Sequence, residues 1–166
     1  MVTAAAPDID SLRRSVEALP DPEIPVLTLG DLGIVRFVRD DGDTVVAGLA
    51  PTYSACPATE FIEAAASEVL NRDAGKPVRI ERVLTPPWTT DWISAEGRRK
   101  LLAYGIAPPA AAAGSKRALL GEDRPAACPQ CGSTETERVS EFGSTPCKAA
   151  YRCSSCLEPF DYFKCL

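Results

Sequence analysis

Apolar residues recur along this chain with two different periods, and the period changes from segment to segment. In "DIDSLRRSVEALPDP" Leu12, Val16 and Leu19 fall at helical spacing, with Asp10 or Ser11 able to cap the start and Pro20 and Pro22 ending the run. That predicts a short amphipathic helix. "GIVRFVRDDGDTVVAGLA" switches to alternation, with Ile34 or Val35, Phe37, Val45 and Ala47 facing the core on either side of the turn signal "DDGD". A β-hairpin follows from it. "CPATEFIEAAASEVLNRDAGK" returns to the helical period: Pro57 suits the first helical position, Glu60 and Glu63 sit where the dipole favours anions, and Phe61, Ile62, Ala65 and Val69 supply the buried stripe. "PVRIERVL" reads as a strand with Val78, Ile80 and Val83 inward. The proline-stiffened "TPPWTTDWIS" then leads to a last helix, "SAEGRRKLLAYG", capped by Ser94 and stopped at Gly105. The order is αββαβα, an α+β fold with a mixed sheet.

Residues 107–126, "APPAAAAGSKRALLGEDRPA", have no apolar face and read as a linker. The expected organisation is a domain over 8–106, the linker, and a β-rich segment over 127–166. The last of these is too short to bury a sufficient core, and chains of that size need metal or disulfide staples.

Composition narrows the chemistry. Hydrophobic residues make up 45% and charged residues 25%, the profile of a soluble globular protein. No apolar run is long enough to cross a membrane and "MVTAAAPDID" carries no export signal, so the expected compartment is the cytoplasm. Residues 1–106 hold 11 basic and 16 acidic side chains, 107–125 hold 3 and 2, and 126–166 hold 4 and 5; with a net charge of -5, no segment offers a basic footprint for nucleic acid. The absence of histidine removes Ser-His-Asp and Cys-His catalysis and mixed Cys/His zinc sites, so any metal sits on sulfur or carboxylate.

Seven cysteines in a reducing compartment point to metal rather than disulfides. Cys128-Pro-Gln-Cys131 and Cys153-Ser-Ser-Cys156, with 21 residues between them, have zinc-ribbon spacing, in which four thiolates close a tetrahedral structural site. Gly132 follows the first pair where Leu157 follows the second, so the second turn is expected to differ. "CKAAYR" and "EPFDYFKC" read as strands flanking the second pair. Facing residue numbers in such a hairpin sum to a constant; the ligands give 309 and Cys147 with Cys165 give 312. Cys147 and Cys165 are therefore expected near one another, roughly 20 Å from the zinc at about 3.3 Å per residue. They read equally as a second thiol pair and as two small buried side chains. Tyr151, Phe160, Tyr162 and Phe163 read as a docking face or as core over the zinc.

Cys56 directly precedes Pro57 and is expected at the N-cap of the central helix, where free amides and the dipole would stabilise its thiolate, the alternative being a purely structural cysteine. Trp88 and Trp92 would wall that site or lid the core.

"DPEIPVLTLGDLGIV" with "PTYSACPA" resembles the signature of metal-sulfur-cluster assembly domains of the SufT type. "TPPWTTDWISAEGRRKLLAYGIAPP", followed by "CPQCGS" and "SEFGSTPCKAAYRCSSCLEPFDYFKC", resembles the PaaD family of phenylacetate degradation. The resemblance implies an accessory role in assembling or repairing the iron-sulfur or di-iron cofactor of the phenylacetyl-CoA epoxidase, with its reductase or hydroxylase as partners. It implies that Asp21, Glu23, Thr52 and Cys56 form the assembly motif and that Cys128, Cys131, Cys153 and Cys156 hold structural zinc in the family's ribbon; iron or an iron-sulfur unit is then expected to be held transiently on Cys56 and on the Cys147 and Cys165 pair. No catalytic residue is implied, since di-iron oxygenases use Glu-x-x-His helices that a chain without histidine cannot supply. A non-catalytic adaptor of the same complex is the competing expectation, a thiol oxidoreductase a weaker one, and a homodimer is left open.

Overall fold

A computed structural model of the chain describes residues 7–53, 57–109 and 126–164. The chain divides into two compact units, one ending at Trp88 and the other beginning at Thr89.

The first unit opens with α1 (Ile9–Glu17), which buries Leu12 and Val16 as the spacing predicts. Its cap is Asp8, whose Oδ1 accepts the Ser11 amide at 3.1 Å, ahead of the expected Asp10 or Ser11. The chain then loops back on the helix end: the Asp21 amide donates to the Leu27 carbonyl and the Leu29 amide to the Leu19 carbonyl, both at 2.9 Å. This loop delivers Ile24, Leu27, Leu29, Leu32 and Ile34 to the core. The strands β1 (Val35–Asp40), β2 (Val45–Leu49) and β3 (Val78–Arg82) form a sheet in that order, with β1 antiparallel to β2 and β3 parallel to it. The parallel pair is joined through α2 (Thr59–Asp73), so the mixed αββαβ arrangement is the one predicted.

Two inward faces differ from expectation. The four-residue connection between β1 and β2 pairs Phe37 with Gly48 and Val38 with Ala47, so Phe37 lies on the opposite face from Ala47. There its ring covers Gly48, where an added Cβ would fall 2.3 Å from the ring, and the Arg39 guanidinium stacks 4.5 Å from the ring centroid. With Arg39 and Arg79 flanking Val46 on that side, every residue of the central strand is buried. On α2 the buried stripe is Ile62, Ala66 and Leu70, while Phe61 is 66% exposed and Ala65 and Val69 are half-buried. Ile62 is buried as predicted, but the alanine run offers no phase of its own, and Ala66 and Leu70 are buried where Ala65 and Val69 were expected.

In the second unit a short 3-10 turn (Thr90–Trp92) precedes α3 (Ala95–Ala103), where Ser94 Oγ accepts the Gly97 amide at 2.8 Å and Gly105 follows with φ +87°. Arg98 ties the ends of this segment together, donating to the carbonyls of Thr90 (2.7 Å) and Pro109 (2.6 Å). Strands β4 (Ile106–Ala107), β5 (Thr136–Ser140), β6 (Lys148–Cys153) and β7 (Pro159–Phe163) form a sheet in the order β4-β7-β6-β5. The boundary after Trp88 groups α3 with this sheet, whereas the sequence reading carried the first domain to residue 106. Of the predicted linker, Ala107 is in β4 and residues 110–125 lie outside the described residues. Among the described residues no helix is long and apolar enough to cross a membrane.

Candidate functional site

Each C-x-x-C pair sits on a turn built from its own backbone, and the two turns repeat one another bond for bond. The Cys128 amide donates to the Ser133 carbonyl (2.9 Å) and the Gly132 amide returns to the Cys128 carbonyl (2.8 Å). Cys153 with Glu158 (3.0 Å) and Leu157 with Cys153 (2.9 Å) form the same pair of bonds. Gly132 (φ +75°) and Leu157 (φ +68°) both adopt the left-handed conformation, so the expected difference between the turns is absent, and Leu157 bears strain that Gly132 does not. The turns are braced by the Ser133 and Ser155 hydroxyls at 2.8 Å and by the Ser154 amide on the Glu135 carbonyl at 2.8 Å.

This brings all four sulfurs within 4.8 Å of one another, with Cys128 to Cys156 at 3.7 Å and Cys131 to Cys153 at 3.6 Å. A tetrahedron with metal–sulfur bonds of about 2.3 Å has edges of about 3.8 Å, so the cage fits a four-thiolate metal. The thiols cannot all ionise unaided. Backbone amides of Cys156 and then Ser155 draw the Cys153 thiol down to about 6. At Cys156 the Glu158 amide also lowers the thiol, but burial and the three neighbouring sulfurs outweigh it and push it up to about 12. At Cys131 the Ser133 amide and the Cys156 thiol lower the thiol, but partial desolvation beside the other sulfurs and the Cys153 and Cys128 thiols outweigh them, and it is raised. A divalent cation in the cage removes that conflict.

The β6–β7 hairpin has a facing sum of 311, from Lys148 with Phe163 to Arg152 with Pro159. Cys147 is buried and its carbonyl accepts the Lys164 amide at 3.0 Å, while Thr145 Oγ1 lies 3.1 Å from its sulfur. Cys165 lies outside the described residues, and so does the expected pairing. Tyr151, Phe160, Tyr162 and Phe163 are all at most 7% exposed, so they form core rather than a docking face. Tyr151 stacks on Phe160 (5.8 Å) and tilts against Tyr162 (5.4 Å), and the cluster packs on Cys128 and Cys153.

In the first unit, Asp21 is 7% exposed and its Oδ1 accepts the amides of Glu23 (2.9 Å) and Ile24 (2.7 Å), which shapes the loop between α1 and β1. Asp31, which the sequence reading did not single out, is 8% exposed and exchanges hydrogen bonds with Thr28: each amide donates to the other's side-chain oxygen at 3.1 Å. The spacing Thr-Leu-Gly-Asp was its available signal, that of a reciprocal cap. Helix α2 is capped at Ala58, with no side-chain bond, and not at Cys56. Cys56 itself lies outside the described residues. Thr52 and Tyr53, which lead towards it in sequence, line a cleft of about 260 Å³ with Pro51, Val83, Leu84, Pro87 and Trp88. Trp88 is buried, donating its indole N–H to the Leu32 carbonyl at 2.8 Å, and so serves both as lid and as wall of this cleft.

Comparison with known proteins accounts for both units. Residues 4–81 match the family described as iron-sulfur cluster assembly protein, and residues 112–164 match the PaaD zinc beta ribbon domain. The chain is 48% identical over 166 residues, 100% of its own length and 98% of the relative's, to a putative 1,2-phenylacetyl-CoA epoxidase subunit of Escherichia coli (strain K12). Among solved structures, a domain of unknown function, DUF59, from Bacillus anthracis is 25% identical with a TM-score of 0.51, covering 56% of this chain and 90% of that one. The conserved hypothetical protein TM0487 from Thermotoga maritima is 26% identical with a TM-score of 0.50, covering 60% and 98%. Four clustered thiolates on a ribbon, an assembly-type first unit and full-length identity to one relative converge: the chain belongs to the PaaD family of phenylacetyl-CoA epoxidase subunits.

Proposed function

We propose that this chain is an accessory factor that assembles or repairs the iron-sulfur or di-iron cofactor of the phenylacetyl-CoA epoxidase, and is not itself a catalyst. The observation that carries this reading is the joining of an iron-sulfur assembly domain to a metal ribbon in one chain, 48% identical end to end to an epoxidase subunit. In this reading Cys128, Cys131, Cys153 and Cys156 hold zinc, which cross-links the two turns and supplies no redox chemistry. Cys56 is the transient iron or cluster ligand, Asp21 shapes the loop that carries Glu23, and Thr52, four residues before Cys56 in sequence, lines a cleft of the first unit. Residues 8–106 are then the assembly domain and 127–166 the client-docking ribbon, acting in the cytoplasm on the reductase or hydroxylase. The absence of histidine supports an accessory rather than an oxygenase role.

The relative's name as an epoxidase subunit favours one competitor, a non-catalytic adaptor. Anaerobic reconstitution with iron and sulfide separates the two. A carrier takes up iron with visible absorption that Cys56→Ala abolishes while zinc stays bound; an adaptor stays colourless and still co-purifies with the epoxidase components.

A further inference from the structure

The four cysteines of the cage differ in exposure. In each turn the first cysteine is sealed, Cys128 at 2% and Cys153 at 0%, against the cluster of Tyr151, Phe160 and Tyr162. The second is not: Cys156 is half-buried and Cys131 is exposed. A metal-bound thiolate is ionised whatever its free pKa, so access decides which sulfur meets an oxidant first. Cys131 is the exposed residue of the four, and the Cys153 sulfur stands 3.6 Å from its own on the other turn.

We propose that Cys131 is an oxidation site through which hydrogen peroxide opens the metal centre. The Cys131 thiolate attacks one peroxide oxygen; the O–O bond breaks, a sulfenic acid forms and hydroxide leaves. The Cys153 thiolate then attacks the Cys131 sulfur, forming the S–S bond and expelling a second hydroxide. Two thiolates lose two electrons in total, and peroxide is reduced to two hydroxides that take up protons as water. The metal, left with two of its four ligands, departs as the aquated divalent ion. The ribbon thereby becomes a peroxide-responsive element, and a dithiol reductant with fresh metal resets it. The buried position of Cys153 confines the second step to a sulfur already in the cage.

The test uses the full-length zinc-loaded chain. Sub-stoichiometric hydrogen peroxide is added, zinc release is followed with a chromogenic chelator, and remaining thiols are alkylated before non-reducing peptide mapping. One zinc is expected for each Cys131–Cys153 link, and dithiothreitol with zinc should reverse both. Limiting N-ethylmaleimide, without peroxide, should label Cys131 about tenfold faster than Cys128, Cys153 or Cys156; this second readout needs no variant. Links confined within one turn, Cys128–Cys131 or Cys153–Cys156, would overturn the proposal. So would zinc retention while Cys56 or Cys165 consumes the peroxide.

Discussion

Leu157 shows how a single backbone angle separates two otherwise matching turns. It holds φ +68° without being glycine and leaves its side chain 61% exposed, so it bears conformational strain with little burial in return. Left-handed backbone costs a side-chain-bearing residue about 1–2 kcal/mol, and glycine's extra unfolded-state freedom returns part of that. Leu157→Gly should therefore stabilise the metal-loaded ribbon by about 0.5 kcal/mol, read as a small rise in its thermal midpoint. Unchanged or lower stability would indicate that Leu157 makes a contact that relieves the strain. The clustering of Cys128, Cys131, Cys153 and Cys156 was legible at this scale because a C-x-x-C turn is closed by its own backbone. The left-handed turn at Leu157 was not, since only glycine advertises that conformation in a sequence.

Elements were legible in kind and less so in phase. The predicted helices and strands appear where the periods changed, because periodicity reports which positions must be buried, whereas β4 and β5 carry no such signal and were not predicted. The inward side of α2 was shifted by one residue, as Ala64, Ala65 and Ala66 fit either phase and the larger Phe61 favoured the wrong one. Truncation should report the difference: Ile62→Ala, at 8% exposure, should cost about 3 kcal/mol, and Phe61→Ala, on the exposed side, less than about 0.5 kcal/mol. Urea denaturation of the two variants checks it, and equal losses would put Phe61 in a contact of its own. The β6–β7 register illustrates a different limit. Its facing sum of 311 falls between the two values the cysteines suggested, because turn residues, not ligands, set hairpin register.

At the scale of the molecule, the two units depend on different forces. The first buries an aliphatic core of its own, including Leu27, Leu29, Leu70, Val45 and Val46, whereas the second packs its aromatic cluster directly on Cys128 and Cys153 of the four-sulfur cage. Stripping the metal with a strong chelator should abolish the near-ultraviolet signal of Tyr151, Phe160 and Tyr162 and leave the fluorescence of buried Trp88 nearly unchanged. Acid should act in the same direction. With its thiol drawn below the ordinary range to about 6, Cys153 contributes stability that is present at alkaline pH and lost as pH falls through about 6. Cys156, pushed up to about 12, has the opposite sign without metal, so zinc uptake at neutral pH should release protons, measurable in weak buffer, and affinity should drop as pH is lowered. Family and broad role were legible from motifs spread along the whole chain, while the surroundings of Asp21 were not, since they depend on a loop folding back over α1. The most direct measurement of the accessory role is the iron and sulfide content of the epoxidase reductase and hydroxylase purified from cells that lack this chain. The account predicts underloaded components, restored by the wild-type chain and not by Cys56→Ala; fully loaded components in its absence would contradict it.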